Sequence, residues 1–237
     1  MSDAGRIASP RALARVTGAL YLCIMVAAMF AEGFVRDRLI VSDDPATTVR
    51  RIAESHQLWR WGIVADVSTT LCDVAVAVLL FILLKPAGAR VSLAAAVFQL
   101  VYSAMMATSA ALLVGPLFLI KHSPAGAEMQ MLVSYSLSLH QTTFSIGLIL
   151  FGIHLVMIGL LIARSTFLPR LIGLALTVAG TCYITNSVLG LVAPDVASSL
   201  FPWILLPGFL AEGALTLWLI FVGVNAERWQ AADSLMT

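Results

Sequence analysis

The sequence predicts an all-α integral membrane protein, a bundle of six transmembrane helices, and three observations carry that expectation. First, the 237 residues are 60% hydrophobic and only 11% charged, with a mean hydropathy of +0.95, whereas soluble domains are roughly 25% charged. Second, the apolar residues come in six long blocks that no water-facing surface could carry; a helix needs about 20 such residues to cross a hydrocarbon layer about 30 Å thick. Third, the short alternating segments of a membrane barrel are missing, and inside lipid only helices and closed barrels satisfy every backbone group. The same composition excludes a soluble fold, a disordered chain and a nucleic-acid binder. Formal net charge is +1, from 14 Lys plus Arg against 13 Asp plus Glu, which leaves no basic face for phosphate backbones. The partner implied is the lipid bilayer.

The first span is expected from about Val16 to Val35. Its flanks resemble a secretory signal, but no small-x-small cleavage site precedes Glu32, so it reads as an uncleaved span. The second is expected from Trp61 to Leu84 and the third from Val91 to about Leu113, where Gly115-Pro116 can interrupt it. The fourth runs from about Thr142 to Ala163, the fifth from Leu171 to Val192 and the sixth from about Ile204 to Val224, with Pro202 and Pro207 near its entry. Between spans one and two, Asp44-Pro45 is a helix-start signal. Val49, Ile52, Ala53 and His56 then recur at helical spacing up to Trp59 and Trp61. This predicts a short amphipathic helix over 45–59 at the membrane interface, either a connector folded on the bundle or a lid. No internal repeat is evident, so the chain reads as one integral membrane domain over residues 1–237. Cys23, Cys72 and Cys182 are odd in number and unpaired in spacing, which suits small apolar packers.

Six spans put both termini and the even-numbered loops on one side. That side holds Arg6, Arg11, Arg15, Lys85, Arg90, Arg164, Arg170 and Arg228. Most basic residues of the other side share one loop with Asp37, Asp43, Asp44 and Glu54. The bias in the short loops predicts that this side, with both termini, is the cytoplasm.

Ionisable groups within the spans are the informative residues, because an acid near a helix centre costs about 2.5–3.5 kcal/mol on insertion scales. Depth counting sorts them into two layers. Glu32, Asp66 and His140 form an outer layer, and Asp73, His154 and Glu212 fall near the midplane on three different helices. Asp66 and Asp73 are seven apart, about 20° off alignment, so both can face one interior seam. No Lys or Arg lies within the expected spans to neutralise these acids. A carboxylate there protonates, binds a cation, or hydrogen-bonds to His and polar neighbours. Gln99, Tyr102, Tyr183 and Asn186 are candidates to line the same seam, although most such groups simply join helix to helix.

Two carboxylates and one imidazole also match the ligand set of a divalent metal with an open position, where bound water would become a nucleophile. A divalent metal is therefore the one cofactor these residue types admit. No His-Glu-x-x-His pair or comparable signature separates that reading from cation or proton binding. Haem is disfavoured, since each haem needs a second axial ligand and only His56 and His122 remain, both in loops. Membrane metal hydrolases resembling ceramidases use several histidines across seven spans, which this chain does not offer.

Several motifs together resemble a known family. They are Leu20-Tyr21-Leu22, Trp61-Gly62-Ile63 leading to Asp66, Cys72-Asp73-Val74, and Leu83-Leu84-Lys85-Pro86. Further on come Gly152-Ile153-His154, Ser165, Leu168-Pro169-Arg170, Gly173, Ala179-Gly180 with Tyr183, then Glu212 and Trp218. From about Ala14 to Val224 the chain resembles the bacterial membrane-protein family catalogued as domain of unknown function 4386. The resemblance implies a six-helix integral membrane protein. It carries no activity, substrate or cofactor, and so transfers no catalytic residue. Three functional expectations follow from the residues: a transport-type protein binding a small ligand, cation or proton at Asp73, His154 and Glu212; a metal-dependent intramembrane hydrolase on lipid-like substrates; or a structural, partner-binding protein with the acids as glue.

Overall fold

The structure is a computed structural model that describes residues 9–235; Arg6, counted in the charge bias above, lies outside the described residues. Helix α1 spans Pro10–Leu39. Ser9 caps its start by accepting from the Ala12 N–H at 3.2 Å, and Pro10 occupies the first turn, where a missing N–H costs nothing. Helices α2 and α3 span Pro45–Glu54 and His56–Leu84. Helix α4 spans Ala89–His122 with a turn at Leu113, and α5 spans Ala127–Arg164. Then follow α6, Arg170–Val192, the short α7, Pro194–Leu200, α8, Leu206–Phe221, and α9, Ala226–Ser234. Among the described residues there is no strand. Helices α1, α3, α4, α5 and α6, and α8 taken with the 3-10 turn Trp203–Leu205 that leads into it, are long and apolar enough to cross a membrane, which makes this a multi-pass membrane protein.

The helix borders differ from the sequence expectation where polar residues satisfy themselves locally. Helix α5 begins at Ala127, four turns ahead of Thr142. Its early serines do not break it, because Ser138 donates to the Ser134 carbonyl one turn back at 2.9 Å and Ser136 donates across to the Leu112 carbonyl at 2.7 Å. Helix α1 runs on to Leu39 through a wider π-helical winding over Phe30–Arg36.

Two compact units emerge from the contacts. The first contains α1 up to Leu22, Asp73–Tyr102, and the chain from Leu148 onward; the second contains Cys23–Cys72 and Ser103–Gly147. In the first unit, glycines set the closeness of α5 and α6. Gly152 lies against the backbone of Gly180, and Gly159 against that of Gly173, so that a Cβ at any of them would strike main chain. The last carbonyls of α3 find side-chain donors: Phe81 accepts from Ser92 at 3.0 Å, and Leu83 accepts from the Trp229 indole of α9 at 2.8 Å.

The second unit is built around Val35 and Leu39 of α1, Val49 and Ile52 of α2, Trp59 of α3, Leu113 of α4, and Val133 of α5. Helix α2 buries Thr48, Val49 and Ile52 on this core, so it is a connector folded onto helices. It stops at Glu54, and the chain turns at Ser55 before α3 begins. Trp59 is consequently not the interfacial ring the sequence suggested. It is 2% exposed, and its indole donates to the Leu113 carbonyl at 2.8 Å, whereas Trp61 is 61% exposed. Leu113 stands at the turn in α4, where it caps the start of the stretch Val114–His122. Pro116 has no N–H for the Leu112 carbonyl, and the Ser136 hydroxyl takes its place. Gly115 makes that possible, since a Cβ there would occupy the position of the Ser136 Oγ.

Candidate functional site

The midplane candidates all lie in the first unit. Asp73 of α3 is 3% exposed, and one carboxyl oxygen accepts from the Gln99 amide of α4 at 2.9 Å. Glu212 of α8 is half-buried and accepts from the Tyr183 hydroxyl of α6 at 2.9 Å. Gly208, one turn before Glu212, has no side chain to obstruct the Tyr183 ring; a Cβ there would collide with it. His154 of α5 is 1% exposed, and its Nδ1 donates to the Ala95 carbonyl at 2.8 Å. A carbonyl can only accept, so Nδ1 carries a proton, which leaves Nε2 as the ring nitrogen that can take up or release one.

Aromatic rings fill the space between these groups. Phe151 contacts Tyr102 at 4.8 Å, Tyr183 at 5.7 Å and the His154 ring at 5.9 Å between centroids. Tyr21 of α1 is 2% exposed, and Asp73 and Glu212 lie within electrostatic reach of it and of one another. Among the described residues, the Tyr21 hydroxyl, the second Asp73 oxygen and His154 Nε2 are buried without a hydrogen-bond partner. Asn186 is half-buried on α6.

Three midplane groups are thus in one unit, but each is bonded to a different neutral partner. They do not assemble into a ligand shell: among the described residues, no group of three or more His, Cys, Asp or Glu is placed to hold a metal ion. The chemistry available is that of two carboxyls, a phenol and an imidazole in an apolar surround.

The outer candidates lie in the second unit and have a cation that the sequence reading overlooked. Arg36 is 7% exposed; its guanidinium forms a two-pronged pair with Asp66, at 2.7 and 3.1 Å, and donates through Nε to Glu32. Placing the end of α1 at Val35 hid this residue, although Glu32 and Arg36 stand four apart, the spacing at which helical ion pairs meet. His140, 7% exposed, pairs instead with Ser109 of α4, whose Oγ lies 2.7 Å from His140 Nδ1. Ser109, like Tyr21, is a site neighbour that insertion-cost reasoning does not flag, because hydroxyls are cheap to place in a helix.

Comparison with known proteins agrees with the motifs. A family model described as "Domain of unknown function (DUF4386)" matches residues 16–223. The chain belongs to this family. A curated relative from Archaeoglobus fulgidus, described as "Uncharacterized protein", is 26% identical over 163 residues, covering 69% of this chain and 84% of the relative. No solved structure matches. Of the residues discussed, Asp66, Asp73, His154 and Glu212 all fall within the family match.

Proposed function

We propose that this family member is a transport-type protein of the bacterial cytoplasmic membrane, with both termini cytoplasmic, that binds a proton, or a small cation in its place, at Asp73 and Glu212 with His154 nearby. One observation carries the reading. Among the described residues the ion pairs are those of Arg36 with Glu32 and Asp66, so the carboxyls of Asp73 and Glu212 have neutral hydrogen-bond donors and no cationic side chain. An ionised carboxylate in that setting is costly without a counter-charge. A bound proton or cation supplies it. The unpaired second oxygen of Asp73 supports the same reading. No observation favours the metal-hydrolase alternative, since the ligand set it needs is not grouped. Four helices, α1, α3, α4 and α5, contribute to both compact units, which supports a single integral domain.

Infrared titration of the protein in liposomes tests this. The expected result is a protonated-carboxyl C=O band that responds to pH or to added monovalent cation, and that loses intensity in both Asp73→Asn and Glu212→Gln. A folded double variant with the wild-type band and wild-type proton uptake would leave the acids as helix-to-helix glue and sink the proposal.

A further inference from the structure

A second site lies in the first unit, where the start of α1, the α5–α6 loop and the chain after α8 come together. A cavity of about 430 Å³ opens there, with Arg11, Phe167, Trp218, Gly223 and Arg228 in its lining. Its walls are tied in place by backbone chemistry. Helix α8 ends with Gly223 at φ +75°, and the Gly223 N–H returns to the Trp218 carbonyl at 2.8 Å, a left-handed stop that glycine adopts without strain. The next turn is pinned to the α5–α6 loop, since the Asn225 N–H donates to the Phe167 carbonyl at 3.2 Å.

Arg228 is held at this rim by a bond to the Thr166 carbonyl at 3.1 Å, which uses one of its five N–H donors. Arg11 has no side-chain hydrogen bond or ion pair among the described residues. No Asp or Glu lies in the lining. Two guanidiniums with spare donors therefore face one cavity with no carboxylate to neutralise them. The capping residues of α6 and α9, Pro169 and Asn225, are in the lining too, so two helix starts add partial positive charge. Trp218 and Phe167 are apolar members of the same lining, as suits a molecule with a charged head on a greasy body.

We propose that this cavity binds a phosphoryl anion, recognised by Arg11 and Arg228 together. Two sources share that chemistry, the headgroup of an anionic phospholipid and free inorganic phosphate. The site is separate from the Asp73 and Glu212 pair and does not depend on any reading of it.

Full-length protein purified in mild detergent supplies the test. In one arm it is incubated with phosphatidylglycerol and bound lipid is counted by native mass spectrometry; in the other it is titrated with inorganic phosphate alone, followed by phosphorus NMR. Each arginine near a surface anion is worth roughly fivefold in affinity, so Arg11→Gln should weaken retention about fivefold and Arg11→Gln with Arg228→Gln about 25-fold. Arg90→Gln, on α4 and outside the lining, should retain wild-type binding. Retention in the lipid arm alone assigns a headgroup site, and in the phosphate arm alone a site for the free anion. Wild-type retention in the double variant, equal loss in Arg90→Gln, or no binding in either arm overturns the proposal. Arg11→Gln breaks no side-chain bond among the described residues, so its result stands even where the Arg228 variant fails to fold.

Discussion

At Pro116, one missing N–H organises its surroundings. The Leu112 carbonyl that residue 116 would normally serve is taken by Ser136, and the next carbonyl, of Leu113, which starts the following helical stretch, also accepts from the Trp59 indole. Losing the Ser136 hydroxyl strands the Leu112 carbonyl away from water, at about 1–3 kcal/mol. Ser136→Ala should lower thermal stability in detergent by that amount, and Trp59→Phe, which removes one buried hydrogen bond to the Leu113 carbonyl, by about 1 kcal/mol. Pro116→Ala restores an N–H that can reach the Leu112 carbonyl, so Ser136→Ala should cost about 1 kcal/mol less in that background. Equal costs in both backgrounds would mean that Ser136 does not substitute for the proline's absent donor. The Gly115-Pro116 break was legible in the sequence as a break; its partners were not, because nothing local tells a serine on α5 or a tryptophan on α3 which carbonyl it will meet. The same limit separates the acids. Asp73, His154 and Glu212 stood out through insertion cost, a property of single residues. That Asp73 meets Gln99 while Glu212 meets Tyr183 is a property of helix pairs.

Helix α2 is the element most dependent on one side chain. The Asp44 carboxylate accepts from the Thr47 N–H at 2.9 Å, and bonds from Thr47, first its hydroxyl and then its N–H, hold the carboxyl below its usual range. A carboxyl so lowered favours the folded form above its unfolded pKa, and that contribution is lost as pH falls through the folded value. Protection of the first amides of α2 against hydrogen exchange, measured relative to the intrinsic rate at each pH, should therefore be high at neutral pH and fall in acid below the ordinary aspartate range. Asp44→Ala should exchange faster at every pH, while Asp44→Asn, which keeps an acceptor oxygen, should lose the acid dependence. Unchanged exchange in Asp44→Ala would show the cap to be idle. The Asp44-Pro45 signal located the start of α2 in the sequence, but its end was obscured. Trp59 continues the apolar spacing past Ser55, and only the turn at Ser55 assigns it to α3. Helix α5 was under-read for the opposite reason, since its serines read as a loop until their bonds are known.

At the scale of the whole molecule, six crossings return the chain to the side on which it began. The first unit agrees with that count: Arg11 before the first crossing, Phe167 between the fourth and fifth, and Arg228 after the last line one cavity, and an odd number of crossings between any two of them would have placed them at opposite ends. The basic residues of this end, Arg11, Arg15, Lys85, Arg90, Arg164, Arg170 and Arg228, sit close to the helix ends, where positive charge biases orientation most strongly. The odd-numbered loops carry Arg38, Arg50, Arg51, Arg60 and Lys121, offset by Asp37, Asp43, Asp44, Glu54, Glu128 and Asp195, while Arg36 is paired with Glu32 and Asp66. Orientation therefore rests on a few short loops. Single-cysteine variants on a background lacking Cys23, Cys72 and Cys182 make this measurable. Ala87→Cys lies between α3 and α4, and Ala125→Cys between α4 and α5, so one crossing separates them. In intact cells an impermeant maleimide should label Ala125→Cys and spare Ala87→Cys, with Ala87→Cys labelled only after the membrane is opened. Replacing Lys85, Arg90, Arg164 and Arg170 with Gln removes most of the bias and should give a mixed population in which both positions label. Labelling of Ala87→Cys alone in intact cells would invert the protein in the bilayer, and would move the arginine-lined cavity to the outer surface without altering its chemistry.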